Sequence, residues 1–217
     1  MDVFSAMTDR RSARAYLDRP VSRADIEDIL EYAGRAPSAI NIQPWEYVVV
    51  YGEEKDRLVR RLQKVRAERR ISCGPGTQKP LPDIFKARSR RASRAMAPKI
   101  AEMGLEFTQF VEEGSCSFYG APIAIIVTID RLFPKLRYLD VGLSVSYLLL
   151  AAQAHGLATC PIGLITSYGH EVAEVLDIPE DKEILLGVAL GYADNESPIN
   201  NFRTDRESLD KIRSWYE

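Results

Sequence analysis

The segment Ala121-Pro122-Ile123-Ala124-Ile125-Ile126-Val127-Thr128 is a continuous apolar run following Gly120. A strand with one wet face alternates apolar and polar side chains, so a run without alternation predicts a central strand buried on both faces. Such a strand needs a covering layer above and another below. One candidate cover runs from about Tyr138 to His155 and is apolar nearly all round, which predicts a helix buried in the core or at a subunit interface and stopped by Gly156. Its most apolar part, Val141 to Ala154, is bracketed by Asp140 and Gln153 and falls short of the roughly 20 residues a membrane span needs. No membrane partner is expected.

The rest of the chain supplies the other layers. Trp45 to Tyr51, rich in β-branched and aromatic residues and closed by Gly52, reads as a strand, as do Ala158 to Pro161 and Ile184 to Leu190. A short helix is expected from about Asp2 to Thr8, because Asp2 can cap it and Val3, Phe4 and Met7 fall on one face. Another, opened by Ser22 with Asp25, carries Ile26, Ile29, Leu30 and Ala33 and ends before Pro37. Glu53 to Ile71 suits an amphipathic helix broken by Cys73-Gly-Pro-Gly, with a loop from Gly74 to Asp83. Ile84 to about Phe110 is mostly helical in pattern and holds the basic run Lys86 to Arg94, and a last helix spans about Ser167 to Leu176. With 217 residues and no linker or repeat, the expectation is one α/β (α+β) domain over 1–217.

Charge and motifs exclude several functions. Lys and Arg number 29 against 31 Asp and Glu, a net charge of −2 that disfavours a basic nucleic-acid surface, so no nucleic-acid partner is expected. The opening Met1-Asp2-Val3-Phe4 does not lead from a basic region into a long apolar run, which makes the cytoplasm the expected compartment. Cys73, Cys116 and Cys160 form no CxxC pair and are an odd number, so reduced thiols are expected. GxGxxG, GxxxxGK[ST], HExxH and GxSxG are all missing. With only His155 and His170, no histidine-rich metal site forms. His155 suits a helix end and His170 a helix surface.

Two short clusters can carry binding chemistry. Arg10, Arg11, Ser12 and Arg14 put three cations and a hydroxyl in five residues, which suits a phosphate monoester because guanidinium forks match its oxygens. The residues alone leave a phosphate cradle and a solvated basic loop equally open. Pro37, Ser38, Ala39, Asn41 and Gln43 concentrate small and amide side chains between a helix and a strand, where ordinary turn chemistry explains them unless a heterocycle is read there.

Taken in order, Arg10-Arg11-Ser12-Ala13-Arg14-Ala15-Tyr16 and Ala36-Pro37-Ser38-Ala39-Ile40-Asn41-Ile42-Gln43-Pro44-Trp45 resemble the two N-terminal signatures of the FMN-dependent nitroreductases. Gly156-Leu157-Ala158-Thr159-Cys160-Pro161-Ile162-Gly163 resembles that family's flavin-side strand and loop. Leu176 to Asp181, Gly191 to Asp194 and Asn200 to Arg206 resemble its later segments. The resemblance is weakest from about Glu54 to Ser115. Thr159-Cys160-Pro161 with the terminal Arg-Thr-Asp-Arg pattern is most similar to the branch that reduces nitrobenzoates and nitrophenols.

The resemblance implies a mixed central sheet flanked by helices in a domain-exchanged homodimer with bound FMN. Arg10, Arg11, Ser12 and Arg14, with Arg206 and Arg203, would hold the FMN phosphate end. Pro37, Ser38, Ala39, Asn41 and Gln43 would reach the flavin from the partner subunit. The backbone of Pro161, Ile162, Gly163 and Leu164 would lie along the ring. Nitroreductases commonly show an acidic residue in that loop, where this chain has Ile162 and Gly163. NADH or NADPH would supply hydride, and a small electron-poor aromatic acceptor would then take its place in ping-pong order. The same fold also serves reductive dehalogenation, enone reduction and dehydrogenation, and a flavin-holding sensor is a further alternative. Cys160, in an apolar strand, reads as packing, and Lys86, Arg88, Arg90 and Arg91 as a solvated helix face.

Overall fold

The computed structural model describes residues 1–69, 71 and 79–217. The expected break at Cys73-Gly-Pro-Gly lies outside the described residues, as do Cys73 itself and the first half of the loop predicted from Gly74 to Asp83.

Four strands form one sheet in the order β1-β2-β4-β3: β1 Trp45–Tyr51, β2 Ile123–Asp130, β3 Ala158–Ile162 and β4 Lys182–Gly191. All three pairings are antiparallel, and an isolated Ser12↔Thr159 bridge adds a parallel contact at the free side of β3. The apolar run becomes β2, in the interior of the sheet. Its side chains divide by parity as the two-residue period requires. Ala124 and Ile126 enter one core with Leu58, Leu62 and Val172, while Ile123, Ile125, Val127 and Ile129 enter the other with Ile29, Val145 and Leu148. Helices α3 (Gly52–Glu68), α5 (Phe107–Cys116) and α7 (Gly169–Leu176) cover the first face, and α2 (Arg23–Gly34) and α6 (Tyr138–Ala154) the second. Two helices not yet named are α1 (Val3–Asp9) and α4 (Asp83–Glu102).

Local chemistry explains the helix ends. Asp2 caps α1 by accepting from the Phe4 and Ser5 N–H groups, and Ser22 caps α2 through the Asp25 N–H at 3.0 Å. Gly156, with φ of +74°, closes α6 as expected: its N–H reaches Gln153 O, and that of Leu157 reaches Ala152 O at 2.9 Å. The helical pattern expected from Ile84 to Phe110 divides into two elements. Gly104, at φ +70°, ends α4 with its N–H on Ala101 O and the Leu105 N–H on Ile100 O, and α5 starts only at Phe107. Glycine's freedom to turn left-handed overrides a periodicity that continues on both sides of it.

α6 is apolar on more of its circumference than the core uses. Val141, Val145, Leu148 and Ala152 are buried, whereas Leu139, Leu143 and Tyr147 face out. Cys116 and Cys160 are free and buried. Among the described residues no helix is long and apolar enough to cross a membrane, and no group of three His, Cys, Asp or Glu side chains is arranged to hold a metal ion.

Candidate functional site

Residues 12–17 run along the end of the sheet. The Ala13 N–H donates to Thr159 O at 3.0 Å and the Leu17 N–H to Tyr192 O at 2.9 Å, while Tyr16 bridges Ala193. Asn200, which is buried, ties the C-terminal segment to this strip. Its Oδ1 accepts from the Arg14 N–H, and its Nδ2 donates to Ala15 O and Asp194 O, each at 2.8 Å. Arg203 donates to Thr8 O at 2.9 Å, at the end of α1. Three segments far apart in sequence therefore converge beside β3.

They enclose a cavity of about 450 Å³ lined by Arg10, Arg11, Ser12, Arg14, Arg203 and Arg206, the whole predicted phosphate set. Its electrostatics are one-sided. Arg10 donates to Ser12 Oγ at 3.5 Å, Arg11 to Asn195 Oδ1, Arg14 to Ser12 O, and Arg206 to Thr204 and Asp205 oxygens of its own backbone turn. Among the described residues none of the five guanidiniums pairs with a carboxylate. Arg10 Nε is buried with no hydrogen-bond partner. Burial pushes the Arg10 guanidinium down from its ordinary value, and the nearby cations Arg206 and Arg14 push the same way. Uncompensated, partly buried positive charge costs folding free energy, so its natural complement is an anion.

Cys160 lies directly behind the cradle. Burial pushes its thiol up, against the opposing pull of Arg14, Ser12 and Arg10, so it remains a protonated packing residue. Ile162 and Leu164 turn their side chains into the core, leaving their backbone as the part that can serve a ligand. Gly163 is exposed, with open space where a Cβ would project. Tyr119 steadies Arg14, with the guanidinium 5.8 Å from the ring centroid. The turn carrying it holds Phe118, Tyr119 and Gly120 at φ of +51°, +52° and +75°, a strained arrangement for the two aromatic residues.

The second predicted segment stays apart. Pro37, Ala39, Asn41 and Gln43 are exposed and Ser38 half-buried at the entry to β1, whereas the cradle adjoins β3. β1 and β3 are opposite edges of the sheet with two strands between them, three spacings of about 4.8 Å each. Ser38 Oγ accepts from the Gln43 N–H at 2.9 Å, which fixes the loop internally. Ile40, Asn41 and Gln43 all have positive φ, and Ile40 is 91% exposed, so this loop keeps a strained shape that its own chain does not use.

The cradle has a wall that the sequence reading missed. Ser89, Ala92, Ser93 and Met96 of α4 line the same cavity. Their i, i+3, i+4, i+7 spacing inside the basic run was the available signal. The larger groove of about 910 Å³ beside α7 and β4 includes none of the predicted residues, and its charges are largely answered within the fold, as where Lys182 pairs with Glu46 at 2.6 Å.

Fold and site together define a two-faced α+β protein with a cavity walled by guanidiniums that no carboxylate among the described residues answers at one sheet edge, and a strained, exposed loop at the other. The chain belongs to the nitroreductase family, whose profile matches residues 7–192. It is similar to a 4-nitrobenzoate reductase of Nocardioides sp. (strain LMS-CY), at 34% identity over 97% of this chain and 89% of the relative. Among solved structures it resembles the FMN and NADPH-dependent nitroreductase NfnB of Sphigopyxis sp. strain HMH, with TM-score 0.89, 28% identity and full coverage of both chains. The FMN-dependent nitroreductase NfnB from Mycobacterium smegmatis, solved in complex with NADPH, matches with TM-score 0.88 and 28% identity over 99% of this chain and 97% of that one.

Proposed function

We propose that this protein is an FMN-dependent oxidoreductase that takes hydride from NADH or NADPH and reduces nitroaromatic compounds, with its sites shared across a homodimer. The observation that carries this reading is the cradle of five guanidiniums without a carboxylate, with Arg10 Nε buried and unpartnered. A phosphate monoester supplies the missing charge. Arg10, Arg14, Arg203 and Arg206 would hold its oxygens, Arg11 would add to the field, and the Ser12 hydroxyl would donate. FMN, when bound, accepts hydride from the nicotinamide and delivers reducing equivalents to the acceptor.

The chain's own work is binding and orientation. Pro161 and Gly163 offer backbone at the exposed end of β3 while the buried side chains of Ile162 and Leu164 keep that backbone rigid. Cys160 behind the cradle keeps water from the back of the arginines. No side chain needs to act as a nucleophile. The names of the matched relatives support nitrobenzoate-type acceptors and FMN and NADPH as cofactors.

The dimer reading rests on two features. The outward residues Leu139, Leu143 and Tyr147 of α6 and Val3, Phe4 and Met7 of α1 form apolar surface that a second copy would cover. The strained loop bearing Pro37, Ser38, Ala39, Asn41 and Gln43, remote from its own cradle, would serve that copy's flavin.

The decisive experiment is the visible spectrum of the purified protein, then anaerobic addition of NADPH or NADH, then 4-nitrobenzoate. Flavin bands that bleach and return support the reading, with parallel lines in double-reciprocal plots as the mark of ping-pong order. Failure to take up FMN on reconstitution overturns it. A flavin-replete monomer in light scattering overturns the shared site.

A further inference from the structure

Serine or threonine inside a helix commonly donates its hydroxyl back to the carbonyl four residues earlier, as Ser146 does to Gly142 O at 2.8 Å and Thr8 to Phe4 O at 3.0 Å. Ser89 and Ser93 of α4 do not. Neither hydroxyl has a hydrogen-bond partner among the described residues, and both residues line the guanidinium cavity. Ala92 lies between them on the same stripe, where its small side chain leaves room for a ligand to approach. The stripe presents hydroxyls while the cations of the run point elsewhere.

The orientation of α4 is fixed from both sides of that stripe. Arg88 and Arg91, three residues apart and on the neighbouring face, converge on Glu207. Arg91 makes a short ion pair with it, Arg88 Nε lies 3.5 Å away and Lys211 adds a contact at 3.0 Å. Arg91 also pairs with Asp205 at 3.0 Å. Further along, Ile100 packs with Phe110 and Ile199, and Met96 and Phe202 close the same cluster. The acidic residues on either side of Arg206 are thereby drawn away from the cradle and onto α4, leaving Arg206 beside Arg10 with no carboxylate to neutralise it.

We infer that Ser89 and Ser93 are further ligands of the bound phosphate, and that Asp205 and Glu207 act as positioning residues that clamp α4 over it. This rests on the reading of the cradle as a phosphate site. Neutral hydroxyl donors on the α4 wall add hydrogen bonds to a phosphate from a side the arginines do not occupy, and they do so without adding to the mutual repulsion of five cations.

The test compares FMN with riboflavin, which has the same ring and no phosphate, by fluorescence titration of the apoprotein. The Ser89→Ala/Ser93→Ala double variant keeps α4 intact, because alanine is the better helix former. It should bind FMN about tenfold more weakly for each of the two hydrogen bonds lost, the worth of a bond to a charged group, and bind riboflavin as before. Ser93→Thr in the Ser89→Ala background should recover part of the loss. FMN and riboflavin weakened equally would mean a general structural role and overturn the inference. Unchanged FMN affinity in the double variant, with FMN lost in Arg10→Ala, would overturn it and leave the phosphate reading intact. No FMN loss in either variant would remove the phosphate reading and the inference together. Glu207→Gln should release FMN severalfold faster, and high salt should accelerate release from the wild type by a larger factor than from this variant, where only the cradle's own contacts with the phosphate remain to be screened. Release from Glu207→Gln no faster than from the wild type would overturn the clamp.

Discussion

Two basic clusters that look alike in sequence have opposite fates in the fold. Arg10, Arg11 and Arg14 are fastened along β3, half-buried, and meet no carboxylate among the described residues. In the α4 run, Arg88 and Arg91 are answered by Asp205 and Glu207, and Lys86 by Asp83 at 3.3 Å. Lys86 with Asp83 is an ordinary surface ion pair of small net worth, whereas the nearly buried Glu207 gathers Arg88, Arg91 and Lys211 and so answers the charge of the run from within the fold. The first cluster retains charge at a cost to stability, which is the physical mark of a site waiting for an anion. Cation density therefore does not identify a binding site; the lack of an internal counter-charge does.

That contrast can be broken experimentally, beginning with the largest expected effect. Arg10→Ala should weaken FMN binding roughly a hundredfold, about 2.7 kcal/mol, and equilibrium dialysis showing native affinity would remove the cradle from the cofactor site. Next, Asn200→Ala strands the Arg14 N–H and the Ala15 and Asp194 carbonyls together, so a loss of about 2 kcal/mol should appear in urea unfolding, accompanied by weaker FMN retention. Gly114→Ala comes third. A Cβ there would sit 2.3 Å from the Tyr119 ring that backs Arg14, and about 1–3 kcal/mol of destabilisation is expected from the displaced ring, read as a lower Tm.

The α4 side of the contrast responds to pH. Arg91, and then Lys211, hold the Glu207 carboxyl below its ordinary 4.5, to about 2. A carboxylate with a depressed folded-state pKa contributes stability that is present above its unfolded value and lost as pH falls through the folded one. The Tm difference between wild type and Glu207→Gln should thus be constant above about 4.5 and vanish towards 2; a difference unchanged across that window would detach Glu207 from the arginines. The smallest effect belongs to Arg90→Ala, an exposed cation of the same run outside both the cavity and the clamp, which should leave FMN content unchanged.

Much of the fold was legible because its signals are local. The parity of β2, the Asp2 and Ser22 caps and the Gly156 stop each depend on a few adjacent residues. The division between α4 and α5 was missed because Gly104 interrupts an otherwise continuous helical pattern with a cap whose strength lies in backbone geometry. At the site, the Arg10, Ser12 and Arg14 cluster was visible as chemistry but not as a choice between cradle and solvated loop. Deciding that required knowing that no carboxylate from elsewhere folds onto it. Ser89 and Ser93 were hidden by the louder charges around them.

The sequence by itself determined which segments form the strands and most of the helices, that both faces of the sheet are covered, and which residue types are able to grip a phosphate, because periodicity, capping and side-chain chemistry are properties of short stretches of chain. Only the tertiary structure decided which cations stay unpaired. Asn200 brings residue 14 against residue 200, and Glu207 reaches Arg88 and Arg91 across more than a hundred positions. Counter-charge is set by distance in space, and distance in space between remote segments is fixed by packing, which no local pattern encodes.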